Sequence, residues 1–122
     1  MNVKREYKVR LPAGLPDPTG YHILVVIPEV ESTTSRGIVI PDSTKDQHQH
    51  ASIIAYVAKI GPDAYEDAVK FPSGVWCKVG DYVLIKSYDG NRLEVEGVEF
   101  RILNDDTVLG VVPDPAAVGR VR

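Results

Sequence analysis

Few residues in this chain of 122 have the types and spacing to do chemistry. His48 and His50 stand two apart beside Asp46, a spacing that could turn two imidazoles toward one metal ion on an extended strand. Zinc needs three or four ligands, and two on a polar loop fall short, so they read as solvated loop histidines. His22 lies in an apolar run and reads as a packed or interface histidine rather than a base. Cys77, between Trp76 and Lys78, would be an activated thiol only beside a histidine or a helix N-terminus. It reads instead as a small buried hydrophobe. Asp105-Asp106 and Glu94, Glu96 and Glu99 supply carboxylates, but nothing makes two of them converge across a cleft as glycoside hydrolysis requires. They read as a solvated acidic face. No Gly-x-Gly-x-x-Gly, no phosphate-cradling loop ending in Lys-Ser/Thr and no Gly-x-Ser-x-Gly occurs. The residues give no catalytic constellation, and the chain reads as a non-enzyme.

A different stretch stands out for binding. Ser32-Thr33-Thr34-Ser35-Arg36-Gly37-Ile38-Val39-Ile40-Pro41-Asp42 leads from a polar run through Gly37 into three β-branched residues and stops at a proline. The polar flanks bury too little to order themselves. Ile38, Val39 and Ile40 each gain about 1.5–3 kcal/mol on full burial. The segment is either an ordinary short strand with its turn or an apolar hook on a loop that docks into another protein.

Composition bounds the rest. Hydrophobic residues at 43 % and charged residues at 25 % are ordinary globular usage, and the length suits one domain. A net charge of −3 gives no basic excess to grip a phosphate backbone, so nucleic acid is not an expected partner. A single cysteine excludes an internal disulfide. Met1 to Glu6 is charged with no apolar region behind it, unlike a secretory signal, and no apolar run approaches the length of a membrane span. A cytoplasmic protein without a membrane partner is expected.

Ten glycines and nine prolines predict many turns and few helices. Residues 1–20, interrupted by Pro12, Pro16 and Pro18, are expected to form a loosely packed arm or one lying on a neighbouring subunit. Strands are expected at Tyr21–Ile27, apolar on both faces, and at Ser52–Ile60. Residues 62–76 read as a loop with at most a short helix. Tyr82–Lys86 is the next strand, and Asp89-Gly90 signals a hairpin turn after it. Leu93 and Val95 share one parity, Val98, Phe100 and Ile102 the other, so Gly97 marks a turn or a bulge. Thr107–Val112 reads as the last strand, and 113–122 as a tail. Five or six short strands suggest an all-β fold, a small barrel or sandwich.

Four segments, in order, resemble the chaperonin-10 co-chaperonins of the GroES type. Gly37-Ile38-Val39-Ile40-Pro41-Asp42 is similar to the family's mobile loop, and Ala51 to Pro62 to the strand that follows it. Lys78-Val79-Gly80-Asp81-Tyr82-Val83-Leu84 resembles the family's Lys-x-Gly-Asp-x-Val. Glu99 to Leu103 with Asp106 to Val112 is similar to its final strand pair. The resemblance spans roughly Tyr21 to Val112.

It implies a GroES-like β-barrel at 21–112 that assembles into a homo-oligomeric ring, a homo-heptamer, and caps a GroEL-type chaperonin. ATP would be bound by that partner, and the chain would need no cofactor or metal. It implies a mobile loop at about 29–50 that docks Ile38, Val39 and Ile40 with Gly37 as pivot, tuned by Ser35, Arg36 and Pro41. The segment 62–76 would be the roof loop, with Tyr65, Phe71 and Trp76 as candidates to line the chamber. The chain departs from the family in its leading residues 1–20, its single loop glycine and this bulky roof segment. Phe71-Pro72-x-Gly-x-Trp-Cys-Lys and Asn104-Asp105-Asp106-Thr107 look most like co-chaperonins encoded by tailed bacteriophages, which would work with the host's chaperonin. The competing reading is a phage structural or assembly protein that keeps the barrel without binding a chaperonin, motivated by the leading arm. A zinc alcohol dehydrogenase, whose catalytic domain shares this barrel, is excluded by the single cysteine.

Overall fold

The computed structural model describes residues 4–33, 36–42 and 52–118, with the backbone alone for Lys4, Ser32, Ile40, Pro41 and Asp42. The described residues form nine strands and two single 3-10 turns: β1 Lys4–Lys8, β2 His22–Val26, β3 Glu29–Thr33, β4 Val39–Asp42, β5 Ser52–Ile60, β6 Tyr82–Lys86, β7 Asn91–Val95, β8 Val98–Asn104 and β9 Gly110–Val112. The turns are Asp105–Thr107 and Pro115–Ala117. The fold is all-β, as expected, with more strands than the sequence reading gave. No described helix is long and apolar enough to cross a membrane.

Six strands make one antiparallel sheet in the order β7-β8-β2-β5-β6-β9. The β-branched run of β2 sits near its centre, flanked by β8 and β5, which is why both of its faces are apolar. Ile23 and Val25 point into one core with Ile53, Ala55, Val83 and Leu103. Leu24 and Val26 point into a second core with Phe100 and Val98. Between Leu24 and Val25 the register with β5 jumps from Lys59 to Val57, a bulge at Ala58 that bends the sheet.

Residues 62–77 contain no helix and close the first core with Ala64, Tyr65, Phe71 and Cys77. The parity flip at Gly97 is a two-residue hairpin turn: Val95 lies opposite Val98, with Glu96 at φ 50 and Gly97 at φ 78. Two successive positive φ angles are the mark of a type I′ turn.

The hairpin expected at Asp89-Gly90 does not form. β6 pairs with β5 and β9, whereas β7 pairs with β8. Gly90 does take φ 86, but the chain is led away from β6 rather than back along it. Arg101, fully buried on β8, holds this corner by donating from Nη1 to the carbonyls of Ser87 at 2.6 Å and Asp89 at 3.1 Å. A Cβ on Gly90 would come within 2.9 Å of the Ile102 carbonyl and 2.4 Å of Leu103 Cδ2, so glycine is required by space as well as by φ.

The leading segment is the larger departure. β1 pairs with β3 in a separate three-stranded sheet, β1-β3-β4. Residues 9–18 then cross the second face of the large sheet. Val9 and Leu15 pack on the second core, and Pro18 is buried. Lys59 reaches across to the Leu15 carbonyl at 3.2 Å and to Asp17 at 2.6 Å. The described part of this segment therefore packs on its own chain. The prolines bar only long regular structure, leaving extended backbone free to cover an apolar sheet face.

Candidate functional site

The candidate hook lies on the β3–β4 hairpin. Val30 is opposite Asp42, Glu31 opposite Pro41, Ser32 opposite Ile40 and Thr33 opposite Val39. Its root is fixed by Val30, which is buried. Pro41 has no N–H to give, which suits it to β4, paired on one side only in this sheet. Toward the tip, Gly37 adopts φ 81 with no atom of the described residues within 4 Å of where a Cβ would stand. The requirement for glycine there is the backbone angle alone.

Ile38 and Val39 are exposed by 57 % and 55 %. The chain thus forms the strand of the plainer reading while presenting the apolar side chains of the hook reading. Arg36 is exposed beside them. Ser35, the other proposed tuning residue, lies outside the described residues, as do His48, His50 and the expected loop from 43 to 50.

The aromatic candidates of the roof segment cluster instead of lining a surface. Tyr65, Phe71 and Trp76 meet pairwise with ring centroids 4.9–5.9 Å apart. Tyr65 and Phe71 are buried in the first core, and of the three only Trp76, 42 % exposed, reaches solvent substantially. Of the three candidates, Trp76 is therefore the one left exposed for such a role. The neighbouring Val69 and Val75 are also exposed. The sequence missed this because three aromatics in a turn-rich segment carry no periodicity that separates inside from outside.

From its sequence Asp105 is expected to be half of a solvated pair with Asp106. It is buried, and it accepts a hydrogen bond from the Tyr65 backbone N–H at 3.0 Å. Tyr65 sits at φ 63, rare for a bulky residue, and the carboxylate satisfies the amide exposed by that turn. Asp106 pairs with Lys70 at 2.6 Å, on the rim of an open cleft bounded by Tyr21, Asp63, Glu66 and Asp67. Glu99 pairs with Arg92 at 3.2 Å and with the buried Arg101 at 3.0 Å.

Cys77 is buried, as expected, with its sulfur 3.2 Å from the Tyr65 hydroxyl. Burial first of all pushes the Cys77 thiol up from its ordinary value, and burial followed by the Cys77 contact pushes the Tyr65 phenol up as well. A thiol held neutral is a poor nucleophile. His22 turns Nδ1 to the Thr19 carbonyl at 2.9 Å and stacks on Tyr21 at 4.7 Å. This caps the start of β2 and fits the packed histidine of the sequence reading. Among the described residues no group of three or more His, Cys, Asp or Glu is placed to hold a metal.

What the arrangement offers is an exposed apolar hairpin segment on a packed β-sheet body. The sequence also matches known proteins. A family model described as "Chaperonin 10 Kd subunit" matches residues 17–112. "Co-chaperonin GroES" of Clostridium kluyveri is 38 % identical over 95 residues, covering 78 % of this chain and 95 % of that protein. The protein of the same name from Caldicellulosiruptor saccharolyticus is 36 % identical over 97 residues, covering 80 % and 96 %. That of Clostridium botulinum is 38 % identical over 95 residues, covering 78 % and 94 %.

Proposed function

The chain belongs to the chaperonin 10 family, and from that premise we propose that it is a co-chaperonin whose β3–β4 hairpin docks Ile38, Val39 and Ile40 on a GroEL-type chaperonin. The observation that carries this reading is the exposure of Ile38 and Val39 at a hairpin tip, where burial on a partner would stabilise each by about 1.5–3 kcal/mol. Gly37 is the pivot, and Ser35, Arg36 and Pro41 tune the fit. Residues 21–112 are the co-chaperonin domain, residues 1–20 an extension and 113–122 a tail. The chain performs no chemistry of its own, and ATP is handled by the partner.

Ordering a free loop costs about 1–2 kcal/mol per residue fixed, which keeps a single hook weak. Several hooks on one ring make the later contacts intramolecular and can raise affinity about 10²–10⁴-fold. A homo-heptameric ring that works in the cytoplasm is the form proposed for this chain, with client folding in the enclosed chamber and Trp76 as its roof aromatic. The wording of 71–78 and 104–107 supports a bacteriophage origin and a host chaperonin as partner. Phage genes on either side of the coding sequence are the expected finding.

The alternative, an assembly protein without a chaperonin, drew on an arm free to lace subunits together. Val9 and Leu15 pack on the chain's own sheet, which weighs against that motive. The deciding experiment is light scattering of the protein alone and with a bacterial chaperonin plus ATP. Co-elution as a ring only when nucleotide is present is expected. A ring that never binds chaperonin moves the function to assembly, and a monomer removes the avidity on which the mechanism depends.

A further inference from the structure

We infer that β1 is a strap that pre-forms the hook hairpin, so that this chain presents a partly ordered hook where a free loop would have to order on binding. The inference rests on reading Ile38-Val39-Ile40 as the hook. β1 lies ahead of residue 17, where the family match begins. It pairs with β3 along its whole length, from Lys4 opposite Thr33 to Lys8 opposite Glu29. Lys8 adds an ion pair to Glu31 at 3.0 Å. Without β1, the hook would hang on a two-stranded ribbon, which is marginally stable in water, whereas a third strand permits independent order.

The strap is itself fastened to the body. Tyr7 meets Tyr82 edge-on at 6.3 Å, and Tyr82 in turn meets Tyr56 at 5.3 Å. Val9 and Leu15 pack on the second core. The Arg10 guanidinium donates to the carbonyl of Glu96, in the turn between β7 and β8. Lys59 holds Leu15 and Asp17 from β5. The turn Pro115–Ala117 also lies against β1. β1 therefore links the six-stranded sheet to one edge of the hairpin, while β4 forms the other edge and Ile38 and Val39 stay exposed. The strap orders the hook without covering it. Affinity rises when a binding segment is ordered beforehand.

The test is amide hydrogen exchange of β3 and β4 on the full chain without chaperonin, followed by chaperonin affinity in the presence of ATP. One variant, Glu6→Pro with Tyr7→Pro, breaks the β1–β3 pairing. A second, Glu6→Cys with Glu31→Cys, joins two register partners, whose Cα atoms at about 4.5–5.5 Å suit a disulfide. The proline variant is expected to exchange at β3 and β4 at least about tenfold faster, the factor that ordering one residue represents. β2 and β5 should keep their protection. Affinity should fall by a similar factor, and the oxidised disulfide variant should exceed its own reduced form in both protection and affinity. Unchanged exchange at β3 and β4 in the proline variant overturns the strap, as does faster exchange with unchanged affinity. If the proline variant loses protection at β2 and β5, the oxidised and reduced disulfide forms decide, and equality between them overturns the strap. Wild-type protein that never binds chaperonin refutes the hook reading, and the exchange comparison then still decides whether β1 orders the hairpin.

Discussion

Val39 lies opposite Thr33 in the β3–β4 hairpin, and although its backbone is paired its side chain remains 55 % exposed. A β-branched residue in a strand normally packs one face of its sheet. Here the pairing fixes direction and leaves the apolar surface for something else to cover.

Replacing Ile38 or Val39 by aspartate is expected to weaken ATP-dependent chaperonin binding by at least about tenfold per ring, since each buried side chain is worth about 1.5–3 kcal/mol. The stability and size of the protein alone should not change. Light scattering and denaturant titration read both, and unchanged binding would mean that the hook lies elsewhere.

Gly37→Ala tests the pivot. Placing a side chain at φ 81 costs about 1–2 kcal/mol, and no atom among the described residues adds to it. The hairpin amides should exchange faster while unfolding of the main sheet is unaffected. A shift in the global denaturation midpoint would show that the hairpin and the main sheet unfold as one unit.

Arg101→Leu removes the donor to two carbonyls at the β6–β7 corner and leaves Glu99 without its buried partner. Each buried acceptor left unmade costs about 1–3 kcal/mol. A loss of several kcal/mol is expected in urea unfolding. A neutral result would show that the corner does not depend on the guanidinium.

The Tyr65–Cys77 contact predicts a loss of stability in alkali. Both groups titrate higher in the folded chain than their ordinary values of 10.0 and 9.0. At about pH 8 and below both are essentially neutral in either state, and their contribution is complete. Above about pH 8 the unfolded chain releases protons that the folded chain retains, first from the thiol and then from the phenol, so stability falls as pH rises. Urea midpoints from about pH 8 to 11 should decline, and Tyr65→Phe with Cys77→Ala should flatten the slope. A flat wild-type profile would refute the shifts.

Sequence alone settled what depends on near neighbours. The runs Tyr21–Ile27, Ser52–Ile60 and Tyr82–Lys86 are rich in β-branched residues and bounded by turn residues, and the strands His22–Val26, Ser52–Ile60 and Tyr82–Lys86 form within a residue of those bounds. The parity change at Gly97 announced a local event because the strand period is two. The candidate hook stood out as an apolar run stranded in polar sequence, and Ile38 and Val39 are exposed there. Tertiary structure decided what depends on distant partners. Lys4–Lys8 has only one apolar residue and becomes a strand because β3, more than twenty residues on, offers an edge. Asp89-Gly90 carried a sound local hairpin signal, but Arg101 and the pairing of β6 with β9 took the chain elsewhere. Asp105 looked like half of a solvated pair until the fold set the amide of Tyr65, forty residues away, against its carboxylate. A side chain's type limits which partners it can accept, but only the folded chain determines which of them comes within reach.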